Sequence, residues 1–373
     1  MLIFANACQT DRRDQPSAPS SAGHAEGNSY AGNFILSDDS ATRVLTVLHP
    51  WQGSEGKSYR YLLCDTAQDS PPSIPEKDIT VVKLPVKKVV ITSTTHIPYI
   101  SELGHINSIL GVSGQNYICD SVLSERIRNG QVRDIGYDQS LNYELIISLR
   151  PDVVFAYGVT GEISNHISRL AKLGIPVVII SEYLEGHPLG KAEWIRVFAA
   201  FFGEEKLGDS LFLATSTTYE AMAEIAAAVK HKPGVLSGLP WNDIWYVPGG
   251  QSFAARLIYD AGGNYLWKDN GSFEAIPLDI EAVYKTAREA EFWINPGAAL
   301  SKQEILSLDS RLGELKAFRT DHVYNNNARL NVYGGNDYWE SGVMHPDIIL
   351  KDLIQIFHPD VLPGRVMIYY RKL

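Results

Sequence analysis

The sequence lacks most of the features that would assign it quickly to a function class. It has no apolar run approaching the roughly 20 residues that a membrane-spanning helix needs, so no segment reads as a transmembrane span. It has three cysteines, Cys8, Cys64 and Cys119. Their spacing carries no disulfide framework, and Cys64 and Cys119 read as unpaired thiols, with a disulfide between them in an oxidising compartment as the alternative. No run of lysines and arginines appears and the net charge is −10, which excludes an extended nucleic-acid or anionic-membrane surface. There is no Gly-x-Gly-x-x-Gly after a strand, no Walker A loop and no Gly-x-Ser-x-Gly elbow, so the common signatures of dinucleotide enzymes, phosphate-loop ATPases and α/β-hydrolases are missing.

What the sequence does contain is one phrase written twice. The run 141–158 is Leu-Asn-Tyr-Glu-Leu-Ile-Ile-Ser-Leu-Arg-Pro-Asp-Val-Val-Phe-Ala-Tyr-Gly, and a looser copy, two residues longer and more polar, occupies 278–297. Each reads as a short amphipathic helix carrying a glutamate (Glu144, Glu281), a tight turn, then an apolar strand ending at glycine. A repeated helix-to-strand unit predicts two similar α/β lobes, and at 373 residues the chain is long enough for both. A cleft between two lobes is where small molecules usually bind.

The start of the chain has a different character. Ala5-Asn6-Ala7-Cys8 is similar to the end of a bacterial lipoprotein signal, without the usual leucine three residues before the cysteine, and Cys8 would be the lipidated residue. Residues 9–32 follow as a tether, rich in Ser, Pro, Ala, Gly and Gln up to residue 28, a composition that cannot bury a core. Residues 33–85 read as a β-rich extension, with strands over 42–47 and 59–63. Residues 86–203 form the first α/β lobe, with short buried strands at 89–92, 109–113, 153–156 and 177–180 and a helix over 162–173. A helical region 189–202 is interrupted at Gly203, and a proline-free segment 204–231 is predicted to be one long helix. The second lobe is 232–373, with strands at 235–238, 245–247, 291–294 and 323–324 and helices over 253–261 and 347–357.

At this point the residues resemble a known family. The pattern Leu-x-x-Glu144, Leu-Arg-Pro-Asp152-Val-Val, Leu170-x-x-Leu-Gly-Ile-Pro176-Val-Val, the second-lobe Gly-Gly-Gln-Ser-Phe253 and Leu278-Asp-Ile-Glu281, and the terminal His345-Pro-Asp resemble the substrate-binding proteins of ABC importers for ferric siderophores, haem and vitamin B12. The resemblance runs from about residue 86 to 357. It implies an α/β fold of two Rossmann-like lobes joined by one long rigid helix, with little closure, and leaves the β-rich segment before residue 86 outside the pattern. It implies a non-catalytic, monomeric carrier, lipid-anchored in the periplasm or cell envelope, that hands a metal chelate to an ABC importer permease. It also implies that Glu144 and Glu281 dock onto permease arginines, where charge pairs orient partners and speed encounter.

Loops after strand ends supply the candidate cleft wall. These are Thr95 and His96 after the first strand of the first lobe, Tyr137 and Asp138 before the first docking helix, and Tyr157 after the next strand. From the second lobe come Trp241, Phe273, Asn326, Asn327, Arg329 and Trp339. Aromatic faces suit a flat macrocycle or aryl chelating arms. His96 is expected as a hydrogen-bonding wall residue, with haem-iron or bare-metal ligation as the alternatives. No close-spaced ligand motif unites it with His166, His187, Asp243 or His345, so no resident metal and no cofactor are expected. Arg329 is the clearest cation in the set. The scarcity of positive charge favours cobalamin over an anionic ferric siderophore. A two-lobed glycosyltransferase is the alternative from another class, with Val247-Pro-Gly-Gly250 as its only glycine-rich phosphate candidate.

Overall fold

The computed structural model describes residues 25, 27–39, 42–65, 79–137 and 140–373. Cys8, most of the tether and Asp138 lie outside them. The chain begins with four strands, β1 (Phe34–Asp39), β2 (Thr42–Leu48), β3 (Ser58–Asp65) and β4 (Ile79–Leu84), forming one sheet in the order β1-β2-β3-β4. The first lobe follows: β5 (Val89–Ile91), α1 (Ile97–Glu102), β6 (Ile109–Val112), α2 (Ser121–Arg128), β7 (Arg133–Asp134), α3 (Tyr143–Leu149), β8 (Val153–Ala156), α4 (Ile163–Lys172) and β9 (Val177–Ile179). Its sheet runs β7-β6-β5-β8-β9 and is parallel throughout. The strands β5 and β8 and the edge strand β9 are buried at every position, as strands covered on both faces must be.

Three helices carry the chain across. They are α5 (Pro188–Glu193), α6 (Ile195–Phe202) and α7 (Glu205–Ala227). The segment read as a single helix over 189–202 is broken at Trp194, and the long helix is four residues shorter at its end than its expected 204–231. Its last turn is closed by Lys232, whose ammonium donates to the carbonyls of Ala226 (2.7 Å) and Ala227 (3.2 Å). A cation there suits the negative end of the helix.

The second lobe contains β10 (Gly234–Ser237), β11 (Pro240–Trp241), β12 (Ile244–Val247), α8 (Phe253–Asp260), β13 (Asn264–Tyr265), β14 (Ile276–Asp279), α9 (Ile280–Ala287), β15 (Phe292–Ile294), α10 (Lys302–Leu308), α11 (Lys316–Arg319), β16 (Val323–Asn325), α12 (Pro346–Phe357) and β17 (Arg371–Lys372). Its main sheet is β13-β10-β15-β16-β17, parallel except for β17, and β11, β12 and β14 form a small antiparallel sheet beside it.

The duplicated phrase is a duplicated structure. In each lobe a capped helix (Asn142 before α3, Asp279 before α9) leads into a buried central strand, and the glutamate is the second helical residue. The Arg-Pro-Asp of the first copy has a clear task. Arg150 ends α3 in the left-handed region at φ 49°. Asp152 then accepts the N–H groups of Lys87 (2.7 Å) and Lys88 (2.9 Å), which pins the entry of β5 beside β8.

The extension is packed onto the first lobe. The Tyr61 hydroxyl accepts the Ile179 N–H at 3.0 Å, and Trp51, from the β2–β3 loop, joins the core around Val154 and Ile163. The tether assignment, which ran to residue 32, is corrected at its end. The N–H groups of Ser29, Tyr30 and Ala31 donate to Glu193, and those of Gly32 and Asn33 donate to Glu185, all at 2.8–3.1 Å. Buried carboxylates on both sides of the α5 region thus hold that stretch of backbone.

His96 requires a second correction. It does not stand in the cleft wall. It ends a 3-10 turn, is wholly buried and packs on Phe198 with 5.9 Å between ring centroids. Neither ring nitrogen has a hydrogen-bond partner, and burial pulls its pKa down from 6.5 to about 3. The unfolded chain therefore takes up a proton near pH 6.5 that the folded chain refuses, so stability is full above that pH and lost as pH falls toward 3. His187, also lowered to about 3, acts in the same window. Replacing His96 by Leu removes no hydrogen bond, so His96→Leu should be at least as stable as the parent at neutral pH and less sensitive to acid. Chemical denaturation at pH 7.5 and pH 5 checks this. An unchanged acid slope, or a less stable variant at pH 7.5, contradicts it.

Candidate functional site

In the first lobe the chain runs outward from β5 to β6 and β7, then returns to lay β8 on the other side of β5. Loops leaving β5 and β8 diverge there, which opens a crevice at the carboxyl ends of the strands. The structure has a pocket at this place, about 550 Å³, lined by Tyr137, Ser140, Tyr157, Gly158, Val159, Thr160, Glu162, Ile163 and His166. A narrower recess beneath it reaches Thr92 and Ser113 at the ends of β5 and β6. The Tyr157 N–H donates to Thr92 Oγ1 at 2.8 Å, tying the two diverging loops together. Tyr157 meets Tyr183 edge-on at 4.9 Å, and the Tyr183 hydroxyl donates to the Gly158 carbonyl at 3.0 Å. His166 shares the pocket wall. Its Nδ1 is hydrogen-bonded to the Tyr143 hydroxyl, and the Arg169 guanidinium lies 3.9 Å above the Tyr143 ring.

A second group of side chains runs between the lobes. The Thr95 hydroxyl donates to Glu182, which is buried and whose pKa is raised by that burial. Lys191 on α5 feels the charge of Glu182 and places its Nζ 3.7 Å from the ring centroid of Phe253, the first residue of α8. Phe253 in turn meets Trp339 edge-on at 6.3 Å. Burial lowers the Lys191 ammonium to about 8, against the raising influence of Glu182 and Glu185. Phe273 lies against Gly186, where an added Cβ would come within 3.1 Å of the ring. The loop carrying Trp339 is itself fastened to the first lobe. Glu340 accepts the N–H groups of Cys119 (2.8 Å) and Asp120 (2.6 Å), and His345 pairs with Glu102 at 3.1 Å.

The sequence-selected residues divide in this setting. Tyr137 and Tyr157 line the pocket; Thr95 and Trp339 are the two ends of the chain through Glu182, Lys191 and Phe253; and Phe273 sits close by on Gly186. Tyr137, Phe273 and Trp339 are half exposed. Trp241 is the most exposed of the set at 69%, on the small antiparallel sheet opposite Ile244. Asn326 and Asn327 are buried and serve the framework instead of a wall. Asn327 donates to the Ala299 carbonyl at 3.0 Å and accepts from Arg371 at 2.8 Å. The charge of Arg329 is already answered by Asp337 at 2.6 Å. Glu144 and Glu281 are exposed, and Glu281 is held by Arg311.

Sequence reasoning missed Lys191, Glu182, Tyr183 and Phe253, and it named His166 only as a helper to His96. Lys191 had a signal: it is a lone cation in the apolar approach to Trp194 and the α6 run. Among the described residues, no three His, Cys, Asp or Glu side chains come together as a metal site.

The comparisons with known proteins agree with this architecture. The chain is 25% identical to an uncharacterized lipoprotein of Methanocaldococcus jannaschii over 91% of its own length and 83% of the relative's. In three dimensions it is similar to a periplasmic haem-binding protein of Pseudomonas aeruginosa, with a TM-score of 0.59 and 16% identity over 77% of this chain and 98% of that one. It is also similar to a periplasmic vitamin B12-binding protein of Vibrio cholerae, with a TM-score of 0.52 and 13% identity over 75% and 99%. At such identities the structural likeness establishes the fold. The sequence pattern of the periplasmic binding proteins matches residues 89–330, well over half of the chain, which therefore belongs to that family of two-lobed proteins that bind solutes and do not transform them.

Proposed function

We propose that this protein is the lipid-anchored, extracytoplasmic substrate-binding component of an ABC importer, and that it carries a metal chelate of the cobalamin or ferric-siderophore kind. The observation that carries the reading is the aromatic pocket at the strand switch point of the first lobe, with Tyr137 and Tyr157 in its wall; the second lobe contributes the half-exposed Phe273, against Gly186, and Trp339, against Phe253. Flat, polarisable rings and few fixed charges fit a large planar ligand better than a hydrated ion. Haem is the second reading. His166 favours it, because it lines the pocket with one ring nitrogen engaged by Tyr143. When that nitrogen carries the ring proton, the other is left to coordinate, the arrangement usual in metal-ligating histidines. The relation to a lipoprotein supports anchoring at Cys8. No described helix is long and apolar enough to cross a membrane.

Titration of the purified protein with cobalamin, haem and ferric siderophores, followed by tryptophan emission, should give a saturable response to one of them. Tyr157→Ala and Trp339→Ala should each weaken it by about tenfold or more, in keeping with loss of an aromatic contact of order 1–3 kcal/mol. A protein that answers none of the three classes contradicts the reading.

Permease docking by Glu144 and Glu281 generates a separate expectation. Glu281 is already paired with Arg311, whereas Glu144 has no ion pair among the described residues. Charge reversal at Glu144 should therefore depress transport more than reversal at Glu281, and Arg311→Ala should leave transport intact or improve it. Ligand affinity should stay unchanged in all three. Uptake into vesicles containing the permease measures this, and wild-type transport by the double Glu→Lys variant would sink the docking role.

A further inference from the structure

Lys191 is a cation with no anion paired to it among the described residues. It is half buried on α5, and its ammonium is covered on one side by the Phe253 ring at 3.7 Å. Among the described residues no carboxylate lies within ion-pairing distance of it, and no acceptor bonds its Nζ. The two acidic groups whose charge it feels, Glu182 and Glu185, are committed elsewhere. Glu182 takes the Thr95 hydroxyl on one oxygen, and its other oxygen is buried and unpartnered, out of reach of Nζ. Glu185 takes the N–H groups of Gly32 and Asn33 and the indole N–H of Trp194. Removing an ammonium from water without a partner is costly, and a ring face offsets only part of that cost. The ammonium sits where the lobes meet: it feels the charge of Glu182, which takes the Thr95 hydroxyl in the first lobe, and it lies on Phe253 of the second, which in turn meets Trp339.

We infer that Lys191 is the contact for a single carboxylate on the bound chelate, whose apolar framework lies against Phe253 and Trp339. The inference rests on the chelate reading above and narrows it. One ammonium with two acidic side chains behind it can answer one negative charge, so a multiply charged catecholate complex or a phosphate dianion is disfavoured. A neutral amide or ester in place of the carboxylate would leave the cation unpaired.

The test compares iron protoporphyrin carrying free propionates with its dimethyl ester, and cobalamin, whose corrin arms end in neutral amides and whose only anion is the phosphodiester of its nucleotide loop, with its monocarboxylic acid, which adds a carboxylate on the corrin rim. The wild-type protein should bind the acid form at least tenfold tighter within the pair it recognises. Lys191→Met should abolish that preference and Lys191→Arg should keep it. The Lys191 backbone carbonyl that holds Tyr99 is untouched by either change, and thermal melts confirm that the variants fold. Equal binding of acid and neutral forms by the wild type, or a preference that survives Lys191→Met, overturns the inference while leaving the chelate reading standing. If neither pair binds, the chelate reading is left to the ferric siderophores of the titration above, and the lysine is read directly. In protein carrying 13C-methylated lysines, the signal missing from Lys191→Arg should move on addition of sodium propionate; a signal that does not move overturns the inference.

Discussion

The close crossing of α6 and α7 sets the geometry of everything else. Gly208 makes it possible: a Cβ at that position would lie 2.6 Å from the Cβ of Ala199, so the two helices approach as near as backbones allow. The buried residues of α7, Gly208, Phe212, Ser216, Tyr219 and Ala226, form one stripe at helical spacing. At about 1.5 Å per residue the 23-residue helix is roughly 34 Å long, enough to pass along both lobes. It is bonded to each end of the molecule. Arg43 of the extension pairs with Glu205 at its start, and its Tyr219 hydroxyl donates to Asp260 of the second lobe at 2.7 Å. A continuous helix fixed in this way has no hinge residue to absorb a wide rotation. The fastening of the Trp339 loop to the first lobe through Glu340 works in the same direction.

A rigid frame of this kind places the cleft chemistry where the strands end. The pocket exists because the strand order of the first-lobe sheet changes direction between β5 and β8, and its aromatic residues Tyr137 and Tyr157 lie in loops just beyond strand ends. The extension adds support from outside. Trp51 packs on Gly161, close to the Gly158–Thr160 edge of the pocket, and the Tyr183 hydroxyl that holds the Gly158 carbonyl also receives the backbone of Gln52. The clamp of five backbone N–H groups by Glu185 and Glu193 keeps the extension seated. Charge-assisted bonds of this sort contribute about 1.5–3 kcal/mol each when buried.

Much of this could be read from the chain alone, because periodicity and punctuation are local. The strand 153–156 and the helix over 253–260 lie within a residue of where apolar runs and glycine stops put them. The repeat 141–158 and 278–297 revealed the two lobes because each copy must cap a helix and enter a buried strand. What sequence could not reveal depends on distance through space. Strands of two residues, β7, β11, β13 and β17, have no periodicity to show. His96 looked like a wall residue because it follows a strand, yet the α6 residue Phe198, about a hundred positions away, covers it. Arg329 looked like a free cation until Asp337 was found beside it. Lys191 drew no notice in the sequence, because only the fold puts its ammonium under Phe253 with no anion paired to it among the described residues.

The central claim is that a ligand lies between the lobes against a frame that barely moves. A crystal structure of the protein loaded with its chelate tests it most directly. The account predicts density between the Tyr137–Tyr157 wall and the Phe273–Trp339 side, with α7 intact and both lobe sheets superposing on their unliganded positions. A chelate bound on an outer surface such as the Trp241 sheet, or lobes rotated by tens of degrees about a broken α7, would contradict it.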